Sequence, residues 1–351
     1  MSRKKKILVA PLDWGIGHAT RCIPIINKLV EKGFEILIAG EGRSLSLLKH
    51  EFPNIETVYL KGYNIEYSAK DKMNMTIISQ IPKILYYIKK EHTQIKKIIK
   101  EYKIDGIISD SRFGLWSEKI PSVFITHQLE IQSKILQSKI QKINYKYINK
   151  FDVCWILDHE NNGLAGRLSH PEYLPKNIIY IGPLSRFKNQ KEQIKYELLA
   201  LISGPEPQRS ILEDILKKQI IEYNQPALIV LGKPDISIEE KIKNVEIKSH
   251  LNATELNKAI LQSNIIICRS GYSSVMDLAK LNKKVIFIPT KGQTEQEYLA
   301  NYFQEQGICN YTKQAEFNLT ESLEKNKTYS GFNNYLNKKI NWGDLFSLFL
   351  K

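Results

Sequence analysis

Disulfide and zinc frameworks need closely spaced thiols, and this chain of 351 residues has only Cys22, Cys154, Cys268 and Cys309, with no Cys-x-x-Cys pair. Three of the four lie in apolar runs, the setting of small buried thiols. No apolar run approaches the ~20 residues that span a bilayer. The start, Met1-Ser2-Arg3-Lys4-Lys5-Lys6 followed by Ile7-Leu8-Val9-Ala10-Pro11, has the basic opening of a signal peptide. Its apolar stretch is too short for one, and no small-residue cleavage site follows, so the expected location is the cytoplasm. Arginine is scarce as well: eight of the 51 basic residues. The net charge of +14 is therefore lysine spread along the chain. Nucleic-acid readers group Arg and aromatics on one face; this chain has no such cluster, and nucleic acid is not an expected partner.

What is present is ordinary globular material, 42% hydrophobic and 25% charged, in a length suited to two domains. Short β-branched runs alternate with helical patterns, the mark of parallel βαβ units. The first series of strand candidates is Ile7–Ala10, Phe34–Ala39, Thr57–Leu60, Gly106–Ser109, Ser122–Thr126, Val153–Leu157 and Ile178–Ile181. Between the first two, Cys22, Ile25, Ile26 and Leu29 mark one helix face, which Gly33 ends. A second series follows Gly182-Pro183-Leu184: Leu198–Ile202, Ala227–Leu231, Val245–Lys248, Ile265–Cys268 and Val285–Ile288. The polar stretch Lys188 to Tyr196 puts the connection near residue 185. The expected fold class is α/β with two Rossmann-like domains, 1–185 and 186–335. A C-terminal helix in 336–351 carries Trp342, Leu345, Phe346, Leu348 and Phe349 and is apolar enough to dock on the first domain.

Two lysine-rich helical patterns, Ile84 to Lys103 and Ser133 to Lys150, set Ile, Leu and Tyr against Lys. They read either as ordinary amphipathic helices or as helices that lie on an anionic membrane surface.

Parallel sheets bind ligands beyond the carboxyl ends of their strands. The first loop, Asp13-Trp14-Gly15-Ile16-Gly17-His18-Ala19-Thr20-Arg21, has two glycines that permit close approach to a helix N-terminus. Thr20 stands where a dinucleotide fingerprint needs a third glycine, and Glu41 as its ribose acid does not repair that spacing. His18 is the distinctive residue, either a general base near neutral pH or a helix-capping histidine. Asp110, after the fourth strand, either orients that histidine or caps in partnership with Arg112. His127, after the next strand, is an acceptor-side contact or a structural histidine.

In the second series, Arg269-Ser270-Gly271-Tyr272-Ser273-Ser274 leads from a strand directly into a helix. Backbone N–H groups there, with the two serine hydroxyls, suit a pyrophosphate. Asp277 follows one turn later, placed for ribose hydroxyls, and Gln296-Glu297 offer an amide and a carboxylate to a sugar.

The run Arg269-Ser270-Gly271-Tyr272-Ser273-Ser274-Val275-Met276-Asp277-Leu278-Ala279, with Val285–Pro289 and Gln296-Glu297-Tyr298, resembles the donor-binding signature of glycosyltransferase family 28. Gly15-Ile16-Gly17-His18 is similar to that family's first loop, and the resemblance runs in order along nearly the whole chain. It implies a GT-B fold, two parallel-sheet domains facing across a cleft. It also implies transfer of a hexose or N-acetylhexosamine from a UDP-sugar to an acceptor, with Asp277 on the ribose, Gln296 and Glu297 on the sugar, and the backbone at Leu251 on the base. Departures are the glycine-poor Asp13-Trp14, the prolines in Ser203-Gly204-Pro205-Glu206-Pro207-Gln208-Arg209, and Glu297 where the family has a second amide. Gly204 and Arg209 are expected at the diphosphate, Arg209 supplying charge where proline removes backbone donors. No Asp-x-Asp follows any strand, so Arg209, Arg269 and the helix N-terminus are expected to serve the leaving UDP without a metal or other cofactor. Gly15, Gly17 and His127 are expected on the acceptor side, with His18 and Asp110 catalytic. Rival readings are a UDP-sugar 2-epimerase and a non-catalytic nucleotide-sugar-binding subunit. Beyond the donor, an anionic membrane surface is a candidate partner, with peripheral attachment at the inner face.

Overall fold

Strands that read as continuous apolar runs are those with both faces covered, and here they form the middles of two seven-stranded sheets. The computed structural model describes residues 3–63, 80–131, 137–332 and 339–350. Contacts divide them into two units: residues up to Leu184 together with those after 338, and residues 185–332.

The first sheet contains β1 (Lys6–Pro11), β2 (Glu35–Gly40), β3 (Glu56–Tyr59), β4 (Gly106–Asp110), β5 (Ser122–Thr126), β6 (Val153–Ile156) and β7 (Ile178–Tyr180). Their order is β3-β2-β1-β4-β5-β6-β7, every pair parallel. Helices α1 (Ile16–Glu31), α2 (Gly42–Glu51), α3 (Ile81–Tyr102) and α4 (Gln137–Ile148) lie between strands. Cys22, Ile25, Ile26 and Leu29 are buried along α1, the face that their spacing marks. The order reverses direction between β1 and β4, which brings the carboxyl ends of those two strands side by side.

The second unit holds β8 (Tyr196–Leu201), β9 (Ala227–Val230), β10 (Glu239–Ile242), β11 (Val245–Lys248), β12 (Ser263–Cys268), β13 (Lys284–Phe287) and β14 (Asn310–Tyr311). Its helices are α5 (Gln208–Tyr223), α6 (Ala253–Leu261), α7 (Tyr272–Lys280), α8 (Thr294–Glu305) and α9 (Leu319–Asn326). The order is β10-β11-β9-β8-β12-β13-β14, parallel throughout except that β10 pairs antiparallel with β11. Here the reversal falls between β8 and β12.

All four cysteines are free and buried. The lysine-rich helices face inward with their apolar residues. Ile88, Ile95 and Ile98 of α3 are buried, the last two against Leu8, Leu37 and Ile107 of the sheet. On α4, Ile148 joins Phe124 and Phe151; positions 133–136 of that pattern lie outside the described residues. Part of the apolar stripe a surface-lying helix would insert is thus used in the core, while Tyr86 and Ile143 stay exposed. No helix among the described residues is long and apolar enough to cross a membrane.

After residue 338 the chain returns to the first unit through α10 (Trp342–Phe346). Phe346 and Phe349 are buried and meet the Phe34 ring edge-on at 6.0 and 6.4 Å. A methyl group on Gly106 would lie 2.3 Å from Phe349 Cδ1, so β4 needs glycine where this ring rests. Replacing a buried phenylalanine by alanine costs about 3–5 kcal/mol. Phe349→Ala is expected to lower the stability of the first unit by that amount in urea unfolding followed by circular dichroism; a loss below about 1 kcal/mol would show that the ring contributes little.

Candidate functional site

The end of β1 and the end of β4 are in register at Pro11 and Asp110, and the next N–H, from Leu12, donates to the Asp110 carbonyl at 3.0 Å. From there the chain passes through Gly15, whose φ of +94° at the N-cap of α1 suits glycine. Helix α1 therefore starts over the strand ends and presents His18, its third residue, to Asp110. His18 Nδ1 lies 3.0 Å from Asp110 Oδ1, with 17% of the imidazole side chain exposed and none of the carboxylate.

Arg21, one turn after His18, completes the cluster. Its Nε donates to Asp110 Oδ2 at 2.5 Å and its Nη2 to Oδ1, a two-pronged ion pair in the interior. The same guanidinium approaches His18 Nδ1 through Nη2 at 2.8 Å and His127 Nδ1 through Nη1 at 3.0 Å. Burial opposes the Asp110 charge, but Arg21 and His18 outweigh it and hold the carboxyl well below the usual carboxylate range. His18 is pushed down from 6.5, first by burial and then by Arg21, against the upward pull of Asp110. Burial, with Asp110 beside it, pushes the Cys22 thiol up.

Of the expected first-unit residues, His18, Asp110 and His127 thus come together around Arg21, while Gly15 and Gly17 shape the turn into α1. The alternative pairing of Asp110 with Arg112 is corrected. Arg112 is buried and donates from Nε to Glu91 Oε1 at 2.6 Å and to the Leu60 and Lys61 carbonyls, while Asp110 takes Arg21. Glu41 accepts from the Gly62 N–H and the Tyr59 hydroxyl and so holds the loop after β3.

In the second sheet the reversal puts the loop after β8 beside the loop after β12. Gly204 has φ +114° there, and a methyl on it would lie 3.7 Å from Arg269 Nε and 3.5 Å from Thr290 Oγ1. Helix α7 begins at Tyr272 with Gly271 as N-cap and no side-chain cap, and a methyl on Gly271 would meet nothing within 4 Å. The first turn's N–H groups have no intrahelical acceptors, and Ser273 and Ser274 are half-buried beside them. Asp277 accepts from Ser185 Oγ at 2.5 Å; burial pushes its carboxyl up to about 6, against the Ser185 bond and Arg186.

Comparison with known proteins bears on these two loops together. Residues 214–338 match the model of the glycosyltransferase family 28 C-terminal domain, and residues 5–154 match a model described as glycosyl transferase family 1. The chain is a family 28-like GT-B glycosyltransferase. An uncharacterised glycosyltransferase of Methanosarcina mazei is 24% identical, over 86% of this chain and 84% of its own length. The UDP-N-acetylglucosamine–N-acetylmuramyl-(pentapeptide) pyrophosphoryl-undecaprenol N-acetylglucosamine transferase of Buchnera aphidicola subsp. Schizaphis graminum is 27% identical, over 89% and 86%. Among solved structures, the kitacinnamycin glycotransferase superposes with a TM-score of 0.67 at 16% identity, covering 96% of this chain and 95% of that one.

Within the transferase, most of the expected donor-side side chains are also engaged by the protein itself. The guanidinium of Arg269 is 2% exposed and donates to the carbonyls of Ser203, Ile288, Pro289 and Gln208 and to Gln314 Oε1. Those bonds occupy the five N–H donors of an arginine, so Arg269 staples three loops together and has none left for a phosphate. Arg209 pairs with Glu206 and Glu213, and its Nη1 also reaches the Leu231 carbonyl at 3.2 Å. Its charge is neutralised by carboxylates. Ser270 Oγ donates to the Gln296 carbonyl at 2.7 Å, Gln296 Oε1 accepts from the Thr290 N–H, and Glu297 Oε1 accepts from the Gly292 N–H. These three fasten the turn between β13 and α8. Tyr272 is buried under α7, and Leu251 is buried just before Asn252, which caps α6.

A carboxyl raised to about 6 binds protons more tightly in the folded transferase than in the unfolded chain, where the ordinary value is 3.8. Stability attached to Asp277 is therefore full below about pH 4 and falls as pH rises to 6. Asp277→Asn is expected to raise the melting temperature near pH 8 and to leave it unchanged near pH 4, read by thermal scans across pH. An equal effect at both ends would remove the titration as the cause.

Proposed function

We propose that this transferase moves a hexose or N-acetylhexosamine from a UDP-sugar to an acceptor hydroxyl in one inverting displacement, with His18 as general base and no metal ion. The observation that carries the reading is the His18–Asp110 pair at the strand reversal of the first sheet. When Asp110 accepts from His18 Nδ1, the neutral imidazole carries its proton there and has a bare Nε2 to receive a hydroxyl proton. Proton transfer of this kind contributes typically ~10²–10⁴ in rate.

For the donor, support comes from the first turn of α7, which starts at Gly271 without a side-chain cap. Its N–H groups and the Ser273 and Ser274 hydroxyls suit a diphosphate, which a helix N-terminus attracts through its partial positive charge. Since Arg209 and Arg269 are spent on the protein itself, this turn carries the burden assigned to charge on the leaving UDP, with Gly204 letting backbone approach closely. Asp277 is the ribose partner: it exchanges the Ser185 hydroxyl for a sugar hydroxyl. Gln296 and Glu297 act on the donor sugar from the turn they hold in shape. Gly15, Gly17 and His127 border the acceptor, for which the undecaprenol-linked substrate of the Buchnera transferase makes a lipid-linked glycan the first class to test. The lysines of α3 and α4 offer such a membrane charge rather than an apolar stripe, so peripheral attachment, if driven by them, is salt-sensitive.

His18→Ala is expected to lower turnover at least a hundredfold while UDP binding by calorimetry stays within about twofold. Asp277→Ala is expected to do the reverse, weakening UDP at least tenfold. Turnover undiminished in His18→Ala would remove the imidazole from the reaction. Incubation with UDP-N-acetylglucosamine alone separates transfer from epimerisation, because a 2-epimerase converts that sugar without an acceptor.

A further inference from the structure

Arg21 belongs to none of the roles assigned so far, yet it is the most heavily bonded group in the first-unit cluster. It is buried, it neutralises Asp110 through two prongs, and it reaches both histidines. A carboxylate beside an imidazole ordinarily attracts a proton to the ring and makes it a stronger base that is charged over more of the pH range. Asp110 does not stand alone beside His18: its two oxygens already accept from a cation.

The nitrogen that Arg21 approaches is the one that faces Asp110. Nδ1 of His18 is 2.8 Å from Arg21 Nη2 and 3.0 Å from Asp110 Oδ1. An arginine N–H only donates, so a bond from Nη2 requires a bare Nδ1 and leaves the ring proton on Nε2. A bond to Asp110 requires the opposite, Nδ1–H with Nε2 bare. The two partners therefore draw His18 towards opposite tautomers, and the pull of Asp110 towards a doubly protonated ring is opposed by Arg21, which repels that charge and already pairs with the carboxylate.

We propose that Arg21 is a positioning residue that offsets the pull of Asp110 on His18, so that the imidazole stays uncharged at and below neutral pH and its tautomer is set by which of the two holds Nδ1. This deepens the site by saying how the base assigned above is kept ready, and it rests on that assignment only for its catalytic meaning. The groups that face His18 bear it out in number: Arg21 and Asp110 directly, His127 across the guanidinium, and the Cys22 thiol 3.9 Å from Asp110 Oδ2. Of these only Asp110 favours a charged ring. Removal of Arg21 leaves a buried carboxylate with the imidazole as its remaining close cationic partner, and the ring then takes up a proton to match it.

The test is a titration of the full chain labelled with ¹⁵N-histidine, with His18→Gln used to assign the His18 signals. In the wild type the His18 midpoint is expected below the ordinary 6.5; a midpoint at or above that value overturns the proposal without any variant. In Arg21→Met the midpoint is expected to rise by about one pH unit or more, with the nitrogen shifts moving to the Nδ1–H form. Arg21→Lys, which keeps the charge, is expected to hold the midpoint below 6.5. A folded Arg21→Met whose His18 midpoint and tautomer match the wild type shows that Arg21 is only a packing element. Should Arg21→Met not fold, Arg21→Lys and the wild-type midpoint decide the matter. None of these readings needs turnover, so a failed transferase assay and a failed titration are separate results.

Discussion

A carboxylate with no access to water must be matched by charge within the fold, and Asp110 is matched by Arg21. That pair is possible because the strand order of the first sheet reverses between β1 and β4. The reversal sets the helix that follows β1 over the end of β4, one turn of that helix carries both His18 and Arg21, and the two meet one carboxylate. The second sheet repeats the device with different chemistry. At its reversal the buried cation is Arg269, and its partners are carbonyl oxygens rather than a carboxylate. One arginine thus organises a titrating site, while the other ties neighbouring loops together through oxygens that carry no charge.

The β-branched runs were readable because strands covered on both faces have nowhere to put a polar residue. Twelve strand candidates correspond to strands, most with an end displaced by a residue or two. The two missing strands failed for physical reasons. Glu239–Ile242 is exposed along its whole length and has no apolar face to announce it, and Asn310–Tyr311 is only two residues long. Both are edge strands, where charge and shortness guard against pairing with another chain. The antiparallel edge was accordingly invisible in a pattern that pointed to parallel sheets.

Side-chain roles were less legible than positions. The first-loop histidine and the aspartate that closes β4 were each legible near a strand end, and it is the strand order that makes those ends neighbours. Arg269 stands in a donor-site motif, but sequence does not show which acceptors consume an arginine's donors; the five oxygens around it do. The alternative pairing of Asp110 with Arg112 stayed open in the sequence for the same reason, since nearness in sequence competes with Glu91 from a distant helix. Arg21 did leave a trace: a charged residue three positions after His18 and directly before Cys22, on the inward face of α1. A cation among core positions has to have a buried partner.

The aromatic clasp of Phe346 and Phe349 on Phe34 has a consequence for how the polypeptide is partitioned. Among the described residues, the first unit draws on chain before residue 185 and again after 338, whereas the second lies wholly between, from 185 to 332. Excision therefore treats them unequally. The inserted half can be cut out by two breaks and keep its own connectivity. The surrounding half, clipped anywhere between residue 332 and Phe346, surrenders aromatic side chains from its own interior, and its remaining core faces water where they lay.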